Sequence, residues 1–172
     1  MSDPLADFNA LPAPEAERRL LDCCGSEPWA RAVLARRPFA SAEALLAAAD
    51  AEWRALLPEQ WLAAFRHHPR IGERQATAGQ SAAAGAMSAS EQGGVQVAGT
   101  DVRTRLAQGN RSYEERFGFI FIIRAQGRSA EEMLGALTAR LDNDPAAELR
   151  VAAEQQRQIT QLRLRRLLEL PT

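Results

Sequence analysis

The chain has 172 residues, with 21 lysines and arginines against 22 aspartates and glutamates, so its formal net charge is −1. This length can bury one core, and we expect a single domain over residues 1–172. The balanced charge argues against a nucleic-acid-binding protein, which usually concentrates positive charge on one face. The longest apolar run, ALLAAA at residues 44–49, is far shorter than the roughly 20 residues that cross a bilayer, as is the run FIFII at residues 119–123, so we expect no membrane association.

The N-terminal residues and the cysteines indicate the cellular compartment. The first ten residues, MSDPLADFNA, lack the basic start and the apolar stretch of a secretory signal. Cys23 and Cys24 are adjacent, a spacing that suits neither a structural disulfide nor a CxxC metal or redox motif. We therefore expect a cytoplasmic protein.

Most segments carry the start and stop signals of helices. Proline or serine stands at the expected starts, and glycine or proline at the expected ends, as at Pro14 and Gly25. Ser88 and Ser129 are each followed three residues later by glutamate, which is the capping-box pattern. These signals predict helices at residues 15–24, 28–37, 42–57, 59–68, 88–106, 129–143 and 145–168.

Two segments do not fit this helical pattern. Residues 74–87 are rich in glycine, alanine and serine without an apolar stripe, which predicts a loop with some helical character. Residues 117–123, FGFIFII, resemble a strand, but a lone strand leaves its backbone unpaired. We therefore expect a short buried connector or helical turn there. The predicted fold class is all-α, a compact single-domain bundle of about seven or eight helices.

Three charged or titratable side chains fall on apolar faces of the predicted helices. In a helix beginning at Ser88, both Ser88 and Glu91 share the stripe of Val95. Arg163 lies within the apolar stripe of the last helix, and His68 continues the apolar side of the fourth. Because burying unpaired charge is costly, we expect these groups to meet each other, a ligand or both.

Each of these residues also has a purely structural interpretation. Glu91 can complete a capping box with Ser88, and Arg163 can extend from the edge of the bundle or pair with Glu91. His68 can be a helix-end histidine favoured by the helix dipole, and His67 lies nearer the exposed side. The two histidines point apart on a helix, and no HExxH, cysteine pair or carboxylate cluster accompanies them, so we expect no metal.

A set of short motifs follows in a fixed order along the chain. The motifs are RPF at 37–39, HHPRIGE at 67–73, SASEQ at 88–92, NRSYEERFGFIFIIRAQGRS at 110–129, RLDN at 140–143, EL at 148–149 and ITQLRL at 159–164. HPRIG followed by SxxEQ and FGFxFI is a far more specific combination than any one piece. Together the motifs resemble the 2-oxo-4-hydroxy-4-carboxy-5-ureidoimidazoline (OHCU) decarboxylase family of urate degradation, and the resemblance extends from about Phe8 to Leu168.

The resemblance implies an all-α homodimer without a cofactor that converts OHCU to (S)-allantoin and CO₂, the last of three steps from urate. Motif by motif, it implies that His68 is the acid/base group and that Glu91 is the second catalytic residue. Arg165 and Arg166 are near alternatives to Arg163, but Arg165 falls on the opposite side of the predicted helix. The substrate contacts implied by the resemblance are Pro69, Ser88, Gln92, Ile123 and Arg163.

The sequence departs from the family pattern just after Gln92. Gly93 and Gly94 follow Gln92 where the family more often has alanine, and each glycine early in a helix costs ~1 kcal/mol against alanine. We therefore expect a looser start of that helix.

The sequence also leaves two alternative functions open. One alternative function is a non-enzymatic helical interaction module with structural inward charges. The other is a metal-dependent hydrolase that uses His67 and His68.

Overall fold

The structure is a computed structural model that describes residues 3–73 and 78–172. Within these ranges the chain forms ten α-helices and no strand, which confirms the all-α class and exceeds the predicted count. None of these helices is both long and apolar enough to span a membrane. The helices are α1 (Pro4–Ala10), α2 (Ala13–Cys23), α3 (Glu27–Leu34), α4 (Ala42–Arg54), α5 (Pro58–Phe65), α6 (Ala82–Glu91), α7 (Gly93–Gln96), α8 (Thr100–Phe117), α9 (Ala130–Arg140) and α10 (Pro145–Leu167).

Side-chain caps explain where several helices begin. Ser41 Oγ accepts a hydrogen bond of 3.2 Å from the N–H of Ala44 at the start of α4. Ser129 Oγ accepts one of 3.1 Å from the N–H of Glu132, and the Glu132 carboxylate accepts one of 2.7 Å from the N–H of Ser129. The predicted capping box at Ser129 is therefore confirmed.

The predicted helix at 88–106 is wrong. Ser81, not Ser88, opens the helix in this region, because Ser81 Oγ accepts a hydrogen bond of 3.0 Å from the N–H of Ala84. Ser88 lies inside α6, and Glu91 is the last residue of that helix. Of the predicted loop at 74–87, residues 82–87 are helical, and residues 74–77 lie outside the described residues.

Glycines divide the remainder of the predicted helix. Gly93 and Gly94 begin the short α7, and Gly99 precedes α8, so the chain forms two helices where one was expected. Glycine weakens helix interiors, and three glycines within seven residues favour interruption. Gly93 and Gly94 therefore follow the helix of Glu91 and do not loosen its start.

The described residues 3–64 and 157–172 form the first of two compact units. In this unit α3 packs against both α2 and α4. The indole N–H of the fully buried Trp29 donates a 2.9 Å hydrogen bond to the carbonyl of Ala49. Asp50 of α4 accepts hydrogen bonds from Arg157 at 2.7 Å and from Gln161 at 2.6 Å. These contacts fix the C-terminal part of α10 against α4.

Residues 65–73 and 78–156 form the second unit. Helices α8 and α9 pack closely at Gly109, where an added Cβ would lie 2.6 Å from Cδ2 of Leu137. An aromatic cluster surrounds the buried ring of Tyr113, whose centroid lies 4.7 Å from that of Phe117 and 5.3 Å from that of Phe121. The apolar core of the unit contains Ile71, Val95, Leu106, Tyr113, Phe121, Ile123, Ala125, Ala130, Met133, Leu134 and Leu137.

The strand-like run after α8 is an irregular connector, as predicted. Gly118 ends α8 in the left-handed conformation, with φ of 79°, which favours glycine. The carbonyl of Ile122 accepts a 2.8 Å hydrogen bond from Arg140 Nη1, and the N–H of Arg124 donates one of 2.9 Å to Gln155 Oε1. Side chains therefore pair with backbone groups that a neighbouring strand would otherwise satisfy.

Candidate active site

Four of the predicted site residues are buried polar side chains. His68, Ser88 and Glu91 belong to the second unit and are 9%, 3% and 7% exposed. Arg163 belongs to the first unit and is 3% exposed, whereas Arg165 is exposed. The expectation that these groups point inward is therefore confirmed, and burial favours Arg163 over Arg165.

The two adjacent histidines have different surroundings. His68 lies in the turn after α5, and its N–H donates a 3.1 Å hydrogen bond to the carbonyl of Phe65. The half-buried Pro69 follows and restricts the backbone beside it. The half-buried His67 faces Gly79, since a Cβ added to that glycine would lie 3.5 Å from Cε1 of His67. The sequence-based distinction between a buried His68 and a more exposed His67 is confirmed.

Ser88 and Glu91 occupy the last turn of α6, and the capping-box interpretation of this pair is wrong. Ser88 Oγ accepts a 3.1 Å hydrogen bond from Nε2 of Gln80, and the Ser88 carbonyl accepts one of 3.1 Å from the N–H of Gln92. Glu91 ends the helix, where the helix dipole disfavours a negative charge. The Glu91 carboxylate therefore does not form a capping box with Ser88, and helix capping does not explain why this charge is buried.

Three side chains hold the turn that follows His68. Arg70 donates to both carboxylate oxygens of Glu114, with an Nε–Oε1 distance of 2.5 Å and an Nη2–Oε2 distance of 2.9 Å. Hydrogen bonding to this carboxylate raises the pKa of Arg70. Two further hydrogen bonds, both 2.9 Å long, run from Asn110 Nδ2 to the carbonyl of Ile71 and from the N–H of Gly72 to Gln92 Oε1.

The residues that hold this turn were not all foreseen from the sequence. Asn110 and Glu114 lie in the NRSYEE part of a motif to which no role was given. The only signal was that their motif accompanied HPRIG in the resemblance, since spacing along the chain does not reveal the contact.

The turn itself contains Gly72, which adopts φ of 90°, a conformation that favours glycine. Two cavities of about 440 and 340 Å³ border the turn and share Gly72, Glu73 and Arg103.

Ile123, the predicted backbone contact, lies in the buried connector. The residue is 4% exposed, and neither its N–H nor its carbonyl makes a hydrogen bond within the described part of the chain. The peptide groups beside it are paired, because Ile122 accepts from Arg140 and Arg124 donates to Gln155. The neighbouring hydrogen bonds therefore hold Ile123 in place, and its N–H and carbonyl can each form a further hydrogen bond.

A buried ion-pair network supports this connector. The carboxylate of Glu148, which is 0% exposed, accepts hydrogen bonds of 2.7 Å from Arg140 Nε and from Asn143 Nδ2, and a third from the hydroxyl of Tyr113. Burial and the Glu148 hydrogen bond raise the pKa of Tyr113. The Arg140 guanidinium also lies 4.6 Å from the ring centroid of Phe121. The RLDN and EL motifs contribute Arg140, Asn143 and Glu148, whose contacts the sequence did not reveal.

The surroundings of Arg163 within its own unit include a cysteine. Burial raises the pKa of Cys24 to about 11, while a hydrogen bond with Thr160 and the positive charge of Arg163 act in the opposite direction. Cys24, Thr160 and Arg163 are all buried. The guanidinium and the thiol are therefore electrostatic neighbours, a relation that the motif pattern did not indicate.

The Gly93–Gly94 departure has a packing explanation. A Cβ added to Gly94 would lie 2.2 Å from the carbonyl oxygen of Arg128, whereas one added to Gly93 would meet nothing within 4 Å. Close backbone approach therefore requires glycine at position 94 but not at position 93.

The described residues contain no group of three or more His, Cys, Asp or Glu side chains that could hold a metal ion.

Comparisons of sequence identify relatives of the chain. The sequence model of the OHCU decarboxylase family matches residues 9–165. The chain is 34% identical over 147 residues to the 2-oxo-4-hydroxy-4-carboxy-5-ureidoimidazoline decarboxylase of Amia calva, covering 83% of this chain and 81% of that protein. The mouse protein of the same name is 35% identical over 139 residues, with 81% and 78% covered. These matches extend over most of the chain and do not depend on one motif.

A longer relative and two solved structures complete the comparison. The Arabidopsis thaliana uric acid degradation bifunctional protein TTL is 37% identical over 145 residues, which cover 84% of this chain but only 45% of that protein. A crystal structure of OHCU decarboxylase in the presence of (S)-allantoin has a TM-score of 0.74 and 33% identity, and covers 87% of this chain and 96% of that one. A structure of (S)-allantoin synthase, with a TM-score of 0.70 and 22% identity, covers 95% and 54% and shows likeness of fold alone. The chain belongs to the OHCU decarboxylase family.

Proposed function

We propose that the chain decarboxylates OHCU to (S)-allantoin and CO₂, the third step of urate degradation. Family membership supports this reaction and the enzyme class, a carboxy-lyase, and argues against an interaction module or a metal-dependent hydrolase. The observation that carries the proposal is the burial of an imidazole, a carboxylate and a guanidinium at the motif positions of His68, Glu91 and Arg163.

The structure of the substrate explains why we expect no cofactor. OHCU carries a carboxylate and a hydroxyl on one ring carbon, next to a C=N bond. When the bond to the carboxylate breaks, its electron pair forms a double bond to the neighbouring ring carbon, and the imine nitrogen takes up a proton. The hydroxyl then loses its proton, and the neighbouring carbon gains one, which yields allantoin. The C=N bond thus accepts the electrons for which other decarboxylases recruit pyridoxal or thiamine.

His68 is the acid/base group in this proposal. Histidine titrates near neutral pH, so its ring can take the hydroxyl proton and return a proton to the neighbouring carbon. Delivery of that proton from one face of the ring fixes the S configuration. The turn between α5 and Pro69 limits the positions that the His68 ring can occupy.

Glu91 and Arg163 bind the polar groups of the substrate. Glu91 accepts hydrogen bonds from ring or ureido N–H groups, or holds the imidazole of His68 in one tautomer. Arg163 makes a charge-assisted contact to a ring or ureido carbonyl. A tight contact between Arg163 and the carboxylate would oppose its departure as neutral CO₂, so the carbonyl is the better partner.

The remaining contacts come from the residues around these groups. The peptide of Ile123 offers an N–H and a carbonyl that make no hydrogen bond within residues 3–73 and 78–172, and it binds a polar edge of the substrate. Gln92 uses its Oε1 for Gly72, which leaves its amide nitrogen for the substrate. Pro69 and Ser88 complete the proposed contacts.

The test generates OHCU from urate with the two preceding enzymes and follows the chirality of allantoin by circular dichroism. The wild-type chain is expected to form (S)-allantoin faster than buffer does. His68→Asn is expected to abolish this effect while the far-ultraviolet spectrum stays helical. Racemic allantoin formed at the buffer rate by the wild-type chain would refute the proposed function, and full activity of His68→Asn would remove that residue from the mechanism.

The expected assembly, compartment and domain organisation are also part of the proposal. The resemblance supports a homodimer, which light scattering on the purified chain tests directly. Cys23 and Cys24, the two cysteines of the chain, are both buried and form no disulfide, which is consistent with a reducing cytoplasm. A single domain predicts one cooperative calorimetric transition, and two resolved transitions would contradict it.

A further inference from the structure

We propose that Glu114 and Asn110 are positioning residues that, together with Gln92, orient the imidazole of His68 through the turn at residues 70–72. None of the three was assigned this role by its motif. The effect on turnover rests on the proposed function, whereas the effect on the orientation of His68 does not.

The outermost contact is the ion pair of Arg70 with Glu114. Two parallel hydrogen bonds, of 2.5 and 2.9 Å, join the guanidinium to both carboxylate oxygens. A bidentate pair fixes direction as well as distance, because both planar groups must align. Glu73 also lies 3.6 Å from Arg70, but it forms a single contact. Glu114 therefore sets the direction in which the first residue of the turn leaves Pro69.

The second contact lies in the core of the unit. Asn110 is 4% exposed, and its Nδ2 donates to the carbonyl of Ile71, whose side chain packs in the apolar core. Its Oδ1 has no hydrogen-bond partner among the described residues. A buried amide oxygen without a partner costs free energy, so stability alone does not explain an asparagine at this position. The hydrogen bond that Asn110 Nδ2 donates to the carbonyl of Ile71 explains the asparagine.

The third contact closes the turn. Gln92 Oε1 accepts the N–H of Gly72, and the N–H of Glu73 donates a 3.0 Å hydrogen bond to the carbonyl of Arg70. Gln92 immediately follows Glu91 at the end of α6. One side chain thus ties the segment of the proposed base to the segment of the second proposed catalytic residue.

These contacts act on His68 because little freedom remains between it and the turn. On its N-terminal side, its N–H is bonded to the carbonyl of Phe65. On its C-terminal side only Pro69, with its fixed φ, separates it from Arg70. Release of the turn therefore lets the imidazole move. A displacement of about 1 Å at a catalytic group can reduce the rate by up to roughly 100-fold.

The composition of the chain allows a direct test of orientation. His67 and His68 are its only histidines, so protein labelled with ¹³C in histidine gives two ring Cε1 signals. His67→Gln assigns them. The test variants are Glu114→Ala and Asn110→Leu, and the control is Glu17→Ala, which removes the 3.1 Å ion pair of Glu17 with Arg31.

In both test variants the His68 signal is expected to move toward the position of free histidine or to split, while the control leaves it unchanged. Thermal melting identifies which variants remain folded, and the side chain of Glu114 is 27% exposed, so Glu114→Ala is expected to fold. A His68 signal that coincides with the wild-type signal in folded Glu114→Ala would overturn the proposal.

Kinetics provide the second measurement. Glu114→Ala is expected to lower kcat by roughly tenfold or more and to change KM by less than about twofold, as for a displaced reacting group. A rise in KM at constant kcat would instead assign Glu114 to substrate binding and contradict the proposal. A wild-type chain without activity would refute the proposed function, and the spectra would still decide whether Glu114 orients His68.

Discussion

Replacement of Glu148 by alanine is expected to cause a large loss of stability. The Glu148 carboxylate is completely buried and accepts hydrogen bonds from Tyr113, Arg140 and Asn143. The Arg140 side chain is 11% exposed, so its charge would stay buried without its partner. Removing one member of a buried ion pair costs about 3–5 kcal/mol, and we expect a decrease of this size in the free energy of unfolding.

Urea denaturation followed by circular dichroism measures this loss. Tyr113→Phe removes one of the three donors and is expected to lower the free energy of unfolding by about 1–3 kcal/mol. The control Glu17→Ala breaks an ion pair with the exposed Arg31 and is expected to lose at most about 1 kcal/mol. If Glu148→Ala loses no more than this control, the network does not support the connector that carries Ile123.

Three further predictions concern single positions. Gly94→Ala is expected to lower the free energy of unfolding by about 1–3 kcal/mol, because its Cβ meets a carbonyl oxygen at 2.2 Å, while Gly93→Ala is neutral or stabilising by up to about 1 kcal/mol. Equal urea midpoints would contradict this explanation. Burial raises the pKa of the Cys24 thiol from 9.0 to about 11, so the unfolded chain loses this proton first and the free energy of unfolding falls between pH 9 and 11. The decrease in the free energy of unfolding approaches about 1.4 kcal/mol per pH unit. A Cys24→Ala variant whose free energy of unfolding depends on pH as the wild type's does would refute this prediction. Arg163→Lys is expected to lower kcat/KM for OHCU by roughly 10- to 100-fold through loss of a charged hydrogen bond, and Arg165→Lys is expected to have no effect; the reverse order would reassign the arginine.

Local signals predicted the starts of six helices, α2 to α5, α9 and α10, to within two residues, whereas four of the predicted ends lie three residues too late and α1 was missed. Ser129 with Glu132 forms the capping box that the sequence indicated. The same signal at Ser88 failed, because the Ser81 cap opens α6 earlier and the following glycines end the pattern. A capping box depends on which nearby serine nucleates the helix, and two candidates seven residues apart are not distinguished by spacing alone.

The burial of the polar candidate residues could be predicted from the sequence, but their contacts could not. Burial of His68 and Arg163 was expected from polar side chains in apolar stripes and from motif positions. Burial of Glu91 was expected from its motif and from the stripe of Val95, but α6 ends at Glu91 and Val95 lies in α7, so only the motif position remains as support. The hydrogen bonds that hold the turn after His68 join residues about 20 to 44 positions apart, such as Arg70 and Glu114. Packing in three dimensions determines such pairs, and no periodicity in the chain records them.

The proposed reaction is tested most directly by comparing the initial rates at which (S)-allantoin forms from freshly generated OHCU. Circular dichroism compares three samples: wild type and His68→Asn at equal protein concentration, and buffer without the chain. The proposal expects a strong S signal from the wild type only, with His68→Asn at the buffer rate. A wild-type trace that coincides with buffer would contradict the assignment of this chain as an OHCU decarboxylase.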